Sequence, residues 1–184
     1  MGEALTLRTA RGLFSPGRVD GGTRAMLSVT ELTPGMKVLD LGCGCGLVGL
    51  LAAKLCGEEN VVMCDIDPLA VDVARKNALR NGVGGVKIVL SDGFRALDDA
   101  GFDLILSNPP YQSDFSVAKG FIEKGFNRLK LGGRMMMVTK RRQWYRNKLA
   151  AVFGGVKVRE VDGYFVFEAQ RRGPSYANRR GFIK

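Results

Sequence analysis

Val38-Leu39-Asp40-Leu41-Gly42-Cys43-Gly44-Cys45-Gly46 runs from a strand-like apolar stretch into a glycine turn, and a helix-like segment follows at Leu47–Leu55. Strand, glycine turn and helix in that order open a βαβ unit. Working outward, β-type apolar runs occur at Lys37–Leu41, Val61–Cys64, Val86–Leu90, Phe102–Leu106, Arg134–Val138, Val156–Val161 and Tyr164–Ala169. Helix-like stretches lie among them. Pro68–Arg80 starts with Asp67 as N-cap and proline at the first helical position, and ends at Asn81-Gly82. Val117–Leu131 lines up Val117, Phe121, Ile122, Phe126 and Leu129 before stopping at Gly132-Gly133, and Gln143–Phe153 reads as a shorter basic helix. Repeated strand–helix alternation predicts an α/β fold with a largely parallel sheet and right-handed crossovers. The end differs, because Val161-Asp162-Gly163-Tyr164 places an Asp-Gly pair between two strand runs. Such a pair suits a type I′ turn, so the last strand should run antiparallel.

The 184 residues suit one domain over 1–184, with no internal repeat or linker, and with residues 1–12 and about 172–184 as mobile ends. Lys and Arg number 28 against 18 Asp and Glu, a net +10, and there is no histidine. The missing imidazole excludes Ser-His-Asp and Cys-His nucleophiles, histidine-ligated zinc and a histidine proton shuttle. No apolar run is long enough to span a membrane, and Met1–Arg8 lacks a secretory apolar core, although Met1-Gly2 followed by Thr6 matches a myristoylation pattern. Cys43, Cys45, Cys56 and Cys64 lack CxxC spacing, which points to a reduced, cytoplasmic protein without a metal site. The surplus charge is concentrated in Lys140–Lys148 and Arg171–Lys184, each with five positives and no acid. Both segments carry aromatics (Trp144 and Tyr145; Tyr176 and Phe182), a combination that fits phosphates and stacked bases.

Gly44-x-Gly46-x-x-Gly49, with Asp65 nineteen residues beyond Gly46, formally admits a dinucleotide. Asp40 argues otherwise. A carboxylate just before the loop repels a pyrophosphate and suits a cationic ligand such as S-adenosyl-L-methionine. Asp65 and Asp92 end the next two strands, so all three acids should converge at the carboxyl edge of the sheet. Asp65 would accept from ribose hydroxyls and Asp92 from an adenine amine; Asp67 is read as a helix cap. The fourth strand ends in Ser107-Asn108-Pro109-Pro110-Tyr111, a turn made rigid by consecutive prolines. An amine conjugated to a base or a carbonyl is a poor nucleophile. Accepting its N–H bonds, through the Asn108 amide oxygen and the Pro109 carbonyl, favours a pyramidal nitrogen aimed at the methyl group. Tyr111 would stack on the planar acceptor.

These motifs together resemble class I S-adenosylmethionine-dependent methyltransferases, and in particular the methyltransferase small domain family, which includes ribosomal RNA guanine-N2 methyltransferases. Besides the glycine loop and Asn-Pro-Pro-Tyr, the lead-in Gly12-Leu13-Phe14-Ser15 to Asp20-Gly21-Gly22-Thr23 is similar to that family's, as are Gly132-Gly133 and Asp162-Gly163-Tyr164-Phe165. The resemblance implies a Rossmann-like, seven-stranded sheet ordered 3-2-1-4-5-7-6 with strand 7 antiparallel. It implies cofactor contacts at Asp40, Gly42, Cys43, Gly44, Gly46, Asp65, Ile66, Asp92, Gly93 and Asn108, catalytic roles for Asn108, Pro109, Pro110 and Tyr111, and S-adenosyl-L-homocysteine as product. It also implies that Asp20–Thr23 folds over the cofactor. The best-known ribosomal RNA enzymes carry a second, degenerate domain ahead of the catalytic one, which these residues do not include. RNA contacts are therefore expected from Lys140, Arg141, Arg142, Arg146, Arg171, Arg172, Arg179 and Arg180.

Three other readings stay open at this point. Asn-Pro-Pro-Tyr is shared with protein-glutamine N5 methyltransferases acting on release factors and with DNA adenine-N6 enzymes, and an inactive RNA-binding module would keep the fold alone. Charge favours a nucleic-acid substrate over a protein loop.

Overall fold

The computed structural model describes residues 4–10, 19–109 and 115–177. Its frame is a seven-stranded sheet: β1 (Val38–Leu41), β2 (Val61–Asp65), β3 (Lys87–Leu90), β4 (Phe102–Ser107), β5 (Leu129–Thr139), β6 (Lys157–Val161) and β7 (Tyr164–Gln170). The order is β3-β2-β1-β4-β5-β7-β6, as the sequence implied. Strands β1 to β5 pair in parallel, and β7 is antiparallel to both β5 and β6. Asp162 and Gly163 both have positive φ (51° and 76°), the signature of the expected type I′ turn, and Val161 pairs with Tyr164 across it.

Neighbouring residues of the central strands point to opposite faces, so each strand feeds two cores. Val38, Val61, Met63, Leu104 and Leu106 pack under α1 (Gly21–Leu27), α2 (Leu47–Cys56) and α3 (Pro68–Arg80). Leu39, Leu41, Val62, Cys64 and Ile105 pack under α4 (Phe115–Arg128) and α5 (Arg142–Phe153). Strands covered on both sides read as continuous apolar runs.

Two elements depart from the sequence reading. Helix α4 ends at Arg128, three residues early, because Leu129 is drawn into the sheet opposite Phe102 and is buried there. Lys130 pairs with Asp103, leaving Leu131 largely exposed. Gly132-Gly133 therefore lies inside an 11-residue β5, where the pairing shifts register between Phe102 and Leu104. The described parts of the two ends are hydrogen-bonded to the body of the domain. Thr6 exchanges two hydrogen bonds with the Asn81 side chain and Arg8 two with Asn77, all at 2.9 Å. At the other end, the Tyr176 hydroxyl donates to the Glu123 carbonyl at 2.7 Å.

Candidate active site

The carboxyl ends of β1, β2 and β4 open onto one cavity of about 680 Å³, within the usual range for small-molecule sites. The glycine loop forms its floor. Gly42, Gly44 and Gly46 all take positive φ, and this backbone path suits glycine. Gly49 serves another purpose: a Cβ there would sit 2.5 Å from Met63 Cγ, so its absence lets α2 lie close on β2.

Four of the five amides from Gly42 to Gly46 are already occupied. Gly42 and Cys43 N–H donate to the Cys64 carbonyl at 2.9 Å, Gly46 to the Cys43 carbonyl at 2.9 Å, and Gly44 to Asp65 Oδ2 at 2.8 Å. Gly49 N–H, in the first turn of α2, donates to Asp40 Oδ2 at 2.8 Å. A loop that binds pyrophosphate offers such N–H groups to its ligand. This one spends them internally and places carboxylates beside them, which suits a cationic ligand. Asp40 is buried, and that burial pushes its carboxyl up to about 7, against the Gly49 hydrogen bond and with a further push from Asp65. Asp65 Oδ1 also accepts from Asp67 N–H at 3.0 Å. With two lone pairs per oxygen, the carboxylate still has capacity for hydroxyl donors.

Ile66 is 66% exposed and lines the cavity with Asp92, Gly93, Val117 and Phe121. Asp92 reaches the rim, paired at 3.4 Å with Arg95. Val117 and Phe121 read as a core stripe in sequence; their place on the wall shows only once α4 is set against β3 and β4. Leu5, Leu7 and Thr9 also line the cavity, and the alternation of Leu5 and Leu7 was their only signal. The thiols are poor nucleophiles, since burial drives Cys43 well above the ordinary range and Cys64 up to about 12.

The end of β4 opens onto the same cavity. Ser107 Oγ donates to the Leu41 carbonyl at 2.8 Å and ties β4 to β1, so Asn108 and Pro109 emerge from a fixed strand end onto the wall. Asp20 and Thr23 line the cavity too and contact Asn108 directly, so the Asp20–Thr23 stretch lies at this site; Gly12–Ser15 lie outside the described residues. Pro110 and Tyr111 lie outside the described residues, as do Arg179 and Arg180.

Lys140, Arg141, Arg142, Arg146 and Arg172 are exposed. Lys140 sits over Tyr164, Arg141 over Phe115 and Arg142 over Phe165, with Trp144 stacked on Phe115 at 4.4 Å. Phe115 begins α4 and Tyr164 packs on Gly21, so the Lys140–Arg142 surface flanks the β4 end of the cavity, whereas Arg172 follows β7 at the opposite edge of the sheet, where Gln170 pairs with Arg134. Arg171 has an internal occupation: its guanidinium bonds the Leu129 and Gly173 carbonyls and covers the Phe126 ring. Among the described residues, no cluster of three or more potential metal ligands occurs, and no helix is long and apolar enough to cross a membrane.

The model of the methyltransferase small domain family matches residues 4–168. The chain belongs to that family. As a methyltransferase small domain it is 32% identical over 165 residues to ribosomal RNA small subunit methyltransferase C of Pseudomonas putida, covering 87% of this chain and 49% of the relative. It is 33% identical over 173 residues to YbxB of Bacillus subtilis, covering 90% and 86%. Among solved structures it resembles the T. thermophilus 16S rRNA N2 G1207 methyltransferase (RsmC) in complex with AdoMet and guanosine, with TM-score 0.79 and 31% identity over 88% of this chain and 46% of that one. The chain thus spans about half the length of the ribosomal RNA methyltransferases it matches, and most of the length of YbxB.

Proposed function

We propose that this domain transfers a methyl group from S-adenosyl-L-methionine to the exocyclic N2 amine of a guanine in RNA, with ribosomal RNA as the substrate class. The observation that carries the reading is one cavity lined both by Asp40 and Asp65 of the glycine-loop unit and by Asn108 and Pro109 at the end of β4. The RNA methyltransferases among its relatives, and the neighbour holding AdoMet and guanosine, support it.

Asp40 and the loop it braces would hold the cofactor's ammonium end, Asp65 the ribose hydroxyls, and Ile66, Phe121 and Asp92 the adenine. The cofactor supplies a methyl group on a sulfonium, which leaves as a neutral thioether. Asn108 Oδ1 and the Pro109 carbonyl accept from the guanine amine and hold its nitrogen in line. The methylated nitrogen would carry the positive charge and release a proton to water, with these two acceptors beside it. Orientation and electrostatics suffice, so the reaction needs no titrating imidazole. The exposed cations from Lys140 to Arg146 would hold the RNA backbone beside the cavity.

The test supplies methyl-labelled cofactor with unmodified ribosomal RNA, transfer RNA, DNA and a release factor. Nucleoside analysis should recover N2-methylguanosine from ribosomal RNA. Label confined to DNA or protein would overturn the acceptor assignment.

A further inference from the structure

The Asn108 side chain is clamped by the N-terminal helix. Its Nδ2 donates to Asp20 Oδ2 at 2.7 Å and to Thr23 Oγ1 at 2.9 Å, across sequence separations of 88 and 85 residues. A primary amide has two N–H hydrogens, and here two acceptors face them. A carboxylate has none to donate, so the amide must turn its nitrogen toward Asp20 and its oxygen away. Rotating it by 180° would set the amide oxygen against the Asp20 carboxylate and lose that bond, whereas the Thr23 hydroxyl could turn and donate, so Asp20 sets the orientation and Thr23 adds the second hold. The clamp is itself held firmly. Asp20 Oδ2 caps α1 by accepting from Thr23 N–H at 3.0 Å, and Gly21 lies so close to the Tyr164 ring that a Cβ would be 2.8 Å from it. Ala25 and Met26 anchor the same helix in the core.

We propose that Asp20 and Thr23 are positioning residues for Asn108, locking its amide so that the oxygen is the atom presented to the acceptor amine. Asp20 has a second effect. Positive charge moves toward the acceptor nitrogen during transfer, and a carboxylate behind the amide polarises Oδ1 to meet it. Aspartate does the same for histidine in a catalytic triad. This inference rests on the amine-methylation reading.

The test compares Asp20→Ser, Asp20→Asn and Thr23→Val. Serine keeps the helix cap but is too short to reach Asn108, whereas asparagine keeps an oxygen at the same reach. Asp20→Ser should lower kcat about 10- to 100-fold with cofactor Kd within about threefold of wild type, and Asp20→Asn should recover most of that loss. Thr23→Val should cost about 3- to 10-fold. Weakened cofactor binding with unchanged kcat would overturn the proposal, because both residues would then serve the cofactor. The Asn108 side-chain amide resonances give a readout that needs no substrate: in wild type both protons should exchange slowly, and one should lose protection in Thr23→Val. Fast exchange in wild type would sink the clamp even in an active enzyme. Slow exchange in a protein that methylates no amine would instead sink the functional reading.

Discussion

The two ends of the cavity are fastened differently. At the cofactor end the braces are local: Gly49 to Asp40 spans 9 residues and Gly44 to Asp65 spans 21, all within one βαβ unit. At the acceptor end Asn108 is braced by residues 85 and 88 positions away, on a helix outside the β1–β4 unit. The first end holds its shape once its own unit has folded, while the second needs α1 docked. Binding and turnover should therefore separate under mutation. Asn108→Ala is the sharpest way to pull them apart. It should lower kcat about 10²- to 10³-fold, the cost of losing a preorganised polar group at the reacting atom, while cofactor Kd stays within about threefold. Calorimetry beside single-turnover kinetics reads both, and equal losses in binding and turnover would merge the two ends into one.

Asp40 tests the cofactor end by pH. Its carboxyl titrates at about 7 in the fold, well above the roughly 3.9 of an unfolded aspartate. The folded state therefore holds a proton between about pH 4 and 7 that the unfolded state lacks, and stability should fall as pH rises through that window. A cationic ligand reverses the preference, because it favours the charged carboxylate. Cofactor affinity should thus rise with pH up to about 7 and level off above it, with about half a proton released per binding event at pH 7. Asp40→Asn keeps the Gly49 bond but should weaken binding about 10- to 100-fold and abolish the pH dependence. Calorimetry in buffers of different ionisation enthalpy measures the proton directly.

The same contrast explains what could be read from sequence. Asp40, the glycines and Asp65 lie in one short stretch, so spacing alone exposes the cofactor end, and the Asp-Gly pair at 162–163 predicts the antiparallel finish. Asn108 is legible as a residue type. Its orientation is not, because Asp20 is remote in the chain and is identified as its partner only by the fold. Helix α4 was read too long for a related reason: Leu129 fits a helical stripe equally well, and only pairing with Phe102 assigns it to the sheet. The alternation of Leu5 and Leu7 does not by itself announce a cavity wall, since the contacts that place this segment come from Asn77 in α3 and Asn81 at its C-cap.

That N-terminal strap is a long-range brace on the cofactor end, and breaking it measures how local that end is. Asn77 is fully buried, holds Arg8 by both backbone groups, and donates at 2.9 Å to the Cys45 carbonyl of the glycine loop. Asn77→Ala leaves those groups unpaired. It should cost about 2 kcal/mol of stability, or about 4–8 °C in Tm. If the loop is held by its own unit, cofactor Kd should weaken only about two- to fivefold and kcat should not change. A larger loss in Kd than Asp40→Asn produces would make the strap, rather than the carboxylate, the main determinant of the site.

The smallest effect belongs to the surface beside the acceptor end. Arg142 and Arg146 are exposed on α5, and Arg142 lies over Phe165. Two phosphate contacts on a single strand contribute about 1.4 to the slope of log affinity against log salt. Replacing both arginines by alanine should flatten the slope by that amount and weaken RNA binding about tenfold at moderate salt. Cofactor Kd should stay the same, as should kcat at saturating RNA, because neither residue lines the cavity. The slope is the decisive measurement. A tenfold loss with an unchanged slope would mean that the arginines support Phe165 and the aromatic cluster rather than phosphate, and would move the RNA contact to another face.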